Sequence, residues 1–441
     1  MDLIPNFGSW PMIVLAFVVA LSIIVAVHEY GHYIVGRWSG IKAEVFSIGF
    51  GPTLFSRMDK HGTRWQVAAL PLGGYVKFKG DSGAASGKDA DAMAGMSAQD
   101  RRASMHGAPL WARSATVAAG PVFNFIFSIF IFAGVSLVSG QVVDEARIGE
   151  LRGLPSDVPV LQEGDVITAV EGVAVSSLGE VLDQSDTHVG AETLGYTVER
   201  DGQVMDVEAS FPLVPLINAV APQSAALDAG LQGGDVIRAI NGQEVFAFQD
   251  VRGFVEASNG DPVALDVWRD GEMLEITLEP RWTDTPTADG GFEQRLLIGI
   301  TGGLFFEPVT EPVGFGAALW GGMDQTWFVI TQSLSGLYHM ITGAISTCNL
   351  QGPIGIAETS GAAASQGVDN FIWFIAVLST AVGLLNLFPI PMLDGGHLVF
   401  FGYEAAAGRP PSDRALRVFM SVGLTLLLSL MLFATFNDFF C

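Results

Sequence analysis

Four apolar stretches punctuate the chain, at residues 11–36, 112–138, 371–388 and 414–436. Each has about the 20 residues that a helix needs to cross a bilayer, so the pattern predicts four transmembrane helices. Between the first two, Val45 to Phe55 and Trp65 to Lys77 carry β-branched and aromatic residues broken by Gly and Pro, which predicts short strands with turns between them. Residues 81–107, rich in Ala, Gly, Ser, Asp and Met, read as a flexible loop, and 292–304 as a strand. Residues 313–347 are apolar but interrupted by Asp324, Gln325, Gln332 and Ser333, a pattern that favours an amphipathic surface helix over a fifth span. The Gly/Ala/Ser-rich segment after Gln351 is a candidate gate for substrates.

Composition sharpens this picture. Of the 441 residues 49% are hydrophobic and only 15% charged, too apolar for a single soluble globule or a disordered chain. The net charge of −24 argues against a nucleic-acid partner. Nearly all of it lies in residues 139–370, where no lysine occurs and acidic residues far outnumber arginines. Basic residues instead gather between the first two spans, from Arg37 to Arg113, and between the last two, at Arg409, Arg414 and Arg417. By the positive-inside rule those loops are cytoplasmic, and both termini and the acidic block lie outside, in the periplasm if the membrane is a bacterial inner membrane. The first stretch lacks a basic n-region and ends in ionisable residues, which argues against a cleaved signal peptide. Two cysteines, Cys348 and Cys441, fall on the outer side. They are too few for a disulfide framework, although a single bridge between them is open.

Ionisable residues inside an apolar span are expensive and mark function. The first span ends in His28-Glu29-Tyr30-Gly31-His32. Histidines at i and i+4 share a helix face, where two neutral imidazoles can bind one Zn²⁺ with Glu29 beside them as general base. Zinc needs a third protein ligand, and Asp394 in Asn386-Leu387-Phe388-Pro389-Ile390-Pro391-Met392-Leu393-Asp394 can supply it. Two prolines and two glycines break the helix there, as is tolerated where backbone lines a protein cavity. The bland alternatives are helix-packing histidines and an aspartate that caps a turn. Asn386 suits an oxyanion donor or a holder of substrate backbone, and equally a helix cap. His397, three residues past Asp394, is left out of the ligand set.

With Gly120-Pro121-Val122-Phe123-Asn124 in the second span, these motifs resemble the site-2 protease family of intramembrane zinc metalloproteases. Motif order, spacing and the insert between spans two and three match over nearly the whole chain. The resemblance implies His28, His32 and Asp394 as metal ligands, Glu29 as catalytic base, and substrate contact at Asn124, for which interhelical hydrogen bonding is the competing role. It also implies a membrane-associated β region, here including Gly73, Gly74 and Tyr75, whose edge an unwound substrate joins as a strand. Implied substrates are single-span membrane proteins already trimmed outside the membrane, such as an anti-sigma factor controlling a stress response, and remnant signal peptides.

The acidic block contains a repeat. Residues 162–175 and 232–245 are identical at eight of 14 positions at an offset of 70, and their Gly-Asp turn, apolar strand and Gly-containing turn resemble PDZ modules. The expected fold is thus a polytopic α-helical membrane protein with four transmembrane helices, a membrane-associated β-hairpin region and a periplasmic tandem of PDZ-like domains. Its expected divisions are 1–39, the first span with the zinc motif; 40–110, the β region and loop; 111–139, the second span; 140–213 and 214–283, the PDZ-like pair; 284–370, a strand and amphipathic helix; and 371–441, the last two spans with the aspartate. Two rivals stand beside the protease: a membrane-anchored PDZ scaffold or chaperone with a structural metal, which leaves Glu29 unexplained, and a metal transporter, for which no second polar path exists.

Overall fold

The computed structural model describes residues 10–82, 95–155, 157–287 and 291–440. Cys441 and residues 83–94 of the expected loop lie outside them. The helices in chain order are α1 (Trp10–Trp38), α2 (Ala98–Arg102), α3 (Leu110–Ser139), α4 (Leu178–Asp186), α5 (Ala225–Asp228), α6 (Phe248–Ala257), α7 (Phe315–Thr342), α8 (Pro353–Ser365), α9 (Val368–Asn386), α10 (Asp394–Ala407) and α11 (Asp413–Phe440). Two compact units result. One takes Ser136–Gly314 and His339–Ser346, the other residues 10–135, Phe315–Tyr338 and 347–440.

In the second unit, α1, α3, α9 and residues Arg414–Phe440 of α11 are long and apolar enough to span a membrane. They expose many large apolar side chains, as at Leu424, Leu426, Leu428 and Leu432 of α11, a surface suited to lipid and costly in water. The chain is a membrane protein. Ala20 and Ile24 of α1 and Ile375 of α9 form one small core, with Phe127 and Ile131 of α3 against it. Gly31 brings α1 close to α3, since a Cβ there would stand 2.5 Å from the Ala119 carbonyl oxygen. Ser128 Oγ donates to the Ala376 carbonyl at 2.8 Å and Ser379 Oγ to the Asn124 carbonyl at 3.1 Å, so α3 and α9 are tied by hydroxyls that have few other partners in an apolar setting.

The β region is more than a hairpin. Ala43–Met58 and Arg64–Phe78 each bend, at Gly49 and Gly51 (φ +89° and +84°) and at Gly73 (φ +146°). Residues 43–48 then pair with 74–78 (Ile48 opposite Gly74) and with 64–67 (Ile48 opposite Val67), while 53–58 pair with 64–68. Two strands thus give four rungs, and 74–78 forms one edge. Phe46, Val76 and Phe78 of this sheet pack on Tyr33 of α1 and on Met105, Ala112 and Val117. Asp59 closes the turn between the strands, accepting from the backbone of His61 and Thr63 and from Tyr33 Oη and Trp65 Nε1 at 2.8–3.1 Å. The stretch read as a flexible loop contains α2, capped by Ser97, because Ser97-x-x-Asp100 is a helix-start pattern.

The other unit has two cores. One centres on Ile148, Leu161, Ile167, Tyr196 and Phe211, the other on Ile217, Ile237, Val251, Leu265 and Ile298. Around the first run strands Val173–Ala174, Val166–Val170, Leu194–Arg200 and Gln203–Ala209, with α4 alongside; around the second run Gln243–Glu244, Val236–Ile240, Val263–Arg269 and Glu272–Leu278, with α6. The two sets share one strand order. The first core also takes Phe305 and Phe306 from far down the chain. The single strand expected over 292–304 is two, Phe292–Leu297 and Ile300–Leu304, broken at Gly299 (φ +83°), and they pair with different partners.

Candidate metal centre

α1 presents His28 and His32 one turn apart, as the 3.6-residue period requires. Their Nε2 atoms stand 3.1 Å from each other, and 3.1 and 3.4 Å from Oδ2 of Asp394. Asp394 reaches them because the chain breaks after α9 and restarts as α10 with Asp394 in its first turn. Gly395 and Gly396 make that restart possible: a Cβ on either would lie 2.3 Å from the carbonyl oxygens of Leu387, Phe388 or Ile390. The positive end of α10 favours a carboxylate at this position.

Three observations fit a metal to this group. Oδ2 of Asp394 is buried facing the two imidazole Nε2 atoms at 3.1 and 3.4 Å, an enclosed carboxylate that a bound cation would satisfy. Tetrahedral zinc ligands at about 2.0–2.1 Å from the metal stand about 3.3–3.4 Å apart, close to the separations here. Two imidazole nitrogens and one carboxylate are also a donor set that suits zinc. Among the described residues this is the one group of three or more His, Cys, Asp or Glu ligand atoms lying within 4.8 Å of each other.

α3 supplies the supporting layer. His32 Nδ1 donates to the Thr116 carbonyl at 2.8 Å, which leaves Nε2 as the lone-pair nitrogen. Gly120 forms the floor, its absent side chain replaced by the two imidazoles. Asn124 is wholly buried, with its amide 3.3 Å from His28 Nδ1. It sits between helices, the competing role for this residue. Composition alone does not distinguish Gly120 from other span glycines; its place beside Pro121 in the second-span motif was the available signal.

Glu29, next to His28, has the β edge over it: a Cβ on Gly74 would meet Glu29 Cγ at 3.3 Å and Val25 at 2.8 Å. Gly73 lies under the Phe50 ring, and Tyr75 stacks on Phe50 at 6.0 Å and accepts weakly from Gln66 Nε2 at 3.4 Å. These three residues therefore have packing reasons for their identity besides any contact with substrate. Asn386 donates to the Val382 carbonyl of its own helix at 3.0 Å. Cys348 is in a disulfide.

A buried His-His-Asp group able to hold a metal, with a glutamate beside it and helices fit to span a bilayer, is the arrangement of a membrane metallohydrolase. The profile of peptidase family M50 matches residues 16–430. The chain is 36% identical over 429 residues to an Agrobacterium fabrum protein named as a candidate zinc metalloprotease, covering 96% of this chain and 95% of that one. It is 34% identical over 445 residues to a similarly named Brucella suis protein (98% and 97%), and 33% identical over 461 residues to the regulator of sigma E protease of Salmonella typhimurium (96% and 97%). The chain belongs to peptidase family M50, the site-2 proteases, and is a metalloprotease of that type.

Proposed function

We propose that the protein is a zinc-dependent endopeptidase that cuts transmembrane segments of single-span membrane proteins within the bilayer. The convergence of His28, His32 and Asp394 beside Glu29, on helices with lipid-facing surfaces, carries this reading. His28, His32 and Asp394 would hold the zinc, which would supply Lewis-acid chemistry for a water and the scissile carbonyl. Glu29 accepts a proton from the attacking water and delivers it to the leaving amine. Asn386 keeps one amide hydrogen beyond its bond to Val382 and offers it to the developing oxyanion or to substrate backbone.

A peptide bond in a helix is shielded by its own hydrogen bonds, so the substrate must unwind and its freed backbone must be satisfied. The edge at Gly73, Gly74 and Tyr75 runs over Glu29 and supplies strand partners there. Asn124 acts from behind the ligands rather than on substrate. The basic loops favour a site toward the cytoplasmic leaflet of a bacterial inner membrane, with the acidic residues 139–370 largely on the periplasmic side. In that unit the two repeats act as a PDZ-like tandem that excludes substrates with bulky outer domains, so that cutting follows an earlier trimming. The relative named as regulator of sigma E protease favours, as substrates, an anti-sigma factor whose cleavage releases a stress response. Remnant signal peptides fit the same chemistry.

The test is cleavage of a tagged, pre-trimmed single-span protein in detergent by wild type and Glu29→Gln, with zinc assayed in both. Product from wild type alone, with about one zinc in each protein, is expected from a base next to an intact metal site. Equal product from both would reject Glu29 as the base. Binding of the substrate without cutting by either, at full zinc, would favour a membrane-anchored PDZ scaffold with a structural metal.

A further inference from the structure

The amide of Asn124 is out of register with the chemistry around it. As placed, Nδ2 faces His28 Nδ1 at 3.3 Å, and Oδ1 is buried with no partner. A donor at Nδ1 forces the proton of a neutral imidazole onto Nε2, the atom that points at His32 and Asp394. An imidazole can then offer no lone pair there. Oxygen and nitrogen of an amide have almost the same shape, so their assignment follows the hydrogen-bond network. Turning the amide by 180° lets Oδ1 accept the Nδ1 proton and frees Nε2 for a metal; it moves Nδ2 to the place where Oδ1 has no partner, so what favours the turn is the lone pair it gives Nε2, not the number of bonds.

We infer that Asn124 is a positioning residue for the metal, its Oδ1 accepting the Nδ1–H of His28 and so holding that imidazole in its ligating tautomer. This rests on the metal-ligand reading of His28, His32 and Asp394. It gives the two histidines matching supports from one helix: the Thr116 carbonyl holds His32 at 2.8 Å, and the Asn124 side chain, two turns on, holds His28. The site of support is rigid. The Asn124 backbone carbonyl takes hydroxyls from both Ser128 and Ser379, and its side chain is fully enclosed, with Gly383 so near that a Cβ there would stand 3.2 Å from Asn124 Cβ.

Partners of metal-bound histidines typically set metal affinity by roughly 10–100-fold, and affinity is the readout to use. Full-length protein in detergent would be titrated with zinc against a chelator, and zinc release would be timed, for wild type, His28→Ala, Asn124→Leu and Asn124→Asp. Leu keeps the shape without an acceptor, while Asp keeps an oxygen toward Nδ1. The expected result is zinc affinity down at least tenfold in Asn124→Leu and within about threefold of wild type, or tighter, in Asn124→Asp. Thermal unfolding of the metal-free forms checks that the helices still pack. Should Asn124→Leu not accumulate, Asn124→Ala replaces it in the comparison with Asp. Equal weakening by Leu and Asp, or wild-type affinity in Leu, overturns the inference. Full zinc in His28→Ala would instead overturn the ligand reading beneath it.

Discussion

Gly120 of α3 lies against the imidazole edge of His32. A Cβ on Gly120 would stand 2.4 Å from His32 Nε2 and 2.8 Å from His28 Cε1. The contact is with the edge that faces Asp394, so the ring cannot retreat without breaking its bond to the Thr116 carbonyl. Gly120→Ala is therefore expected to lower zinc affinity by more than tenfold and to destabilise the fold by about 1–3 kcal/mol through overpacking. Zinc stoichiometry and the melting temperature in detergent check both; an Ala variant with wild-type zinc affinity would mean that the helices move apart easily.

A second support acts on the aspartate from a distance. The Arg113 guanidinium, at the start of α3, donates to both oxygens of Glu404, near the end of α10, at 2.6 and 3.1 Å, and lies 5.2 Å from the Phe401 ring centroid. Both side chains are more than four-fifths buried. Because α10 begins at Asp394, this pair fixes the helix that carries that aspartate. Arg113→Ala leaves an unpaired buried carboxylate, at a cost of roughly 2–4 kcal/mol, and activity should fall with stability. Arg113→Ala combined with Glu404→Ala should recover part of the loss. A double variant as damaged as the sum of the singles would show that the two residues act independently.

The acidic unit repeats one ion pair. Asp165 is bound by both Arg200 Nε and Nη2, and Asp235 by Arg269 in the same way, all at 2.6 Å, with each aspartate also accepting from a backbone N–H three residues before it. Asp235 is buried while Arg269 is partly exposed, so Asp235→Ala should cost about 2–3 kcal/mol, below the value for a fully enclosed pair. Asp228→Ala breaks the exposed pair with Arg281 and should cost about 0–1 kcal/mol. Chemical denaturation of the full chain, followed at Trp268 and Trp282, compares them; equal losses would refute the distinction by burial.

Much of this was readable from residue order. Four spans follow from length and hydropathy, and His28 and His32 from the period of a helix. The 70-residue repeat marked Asp165 and Asp235 through their Gly-Asp turns, and the structure adds matched turns with positive φ at Glu171-Gly172 and Asn241-Gly242. What escaped depends on contacts between distant segments. Strand Phe306–Pro308 pairs with Ile148–Leu151, about 155 residues upstream, and no local pattern records that partnership. The fourfold folding of the β region turns on Gly49, Gly51 and Gly73, whose unusual φ values leave in sequence only the signature of ordinary loop glycines. The placement of Gly120 and Asn124 against the two imidazoles comes from the packing of α3 on α1, and Arg113 and Glu404 are 291 residues apart.

The turn under Asp59 gives a pH prediction outside the spans. Burial opposes its ionisation, but hydrogen bonds from the backbone of Thr63, from Trp65 Nε1, from the backbone of His61 and from Tyr33 Oη outweigh that and bring its pKa from 3.8 to about 2. A lowered folded-state pKa means that the ionised form stabilises the fold. That contribution is complete above pH 3.8 and is lost as pH falls through 2. Asp59→Asn keeps the shape but turns an N–H toward the Tyr33 and Trp65 donors, so it should lower the melting temperature at neutral pH. Since Asn does not titrate, the stability difference between wild type and variant should shrink as pH drops from 4 toward 2. The measurement is thermal unfolding of both proteins in detergent across that interval. A difference that stays constant with pH would show that the carboxylate's charge is not what holds this turn to α1.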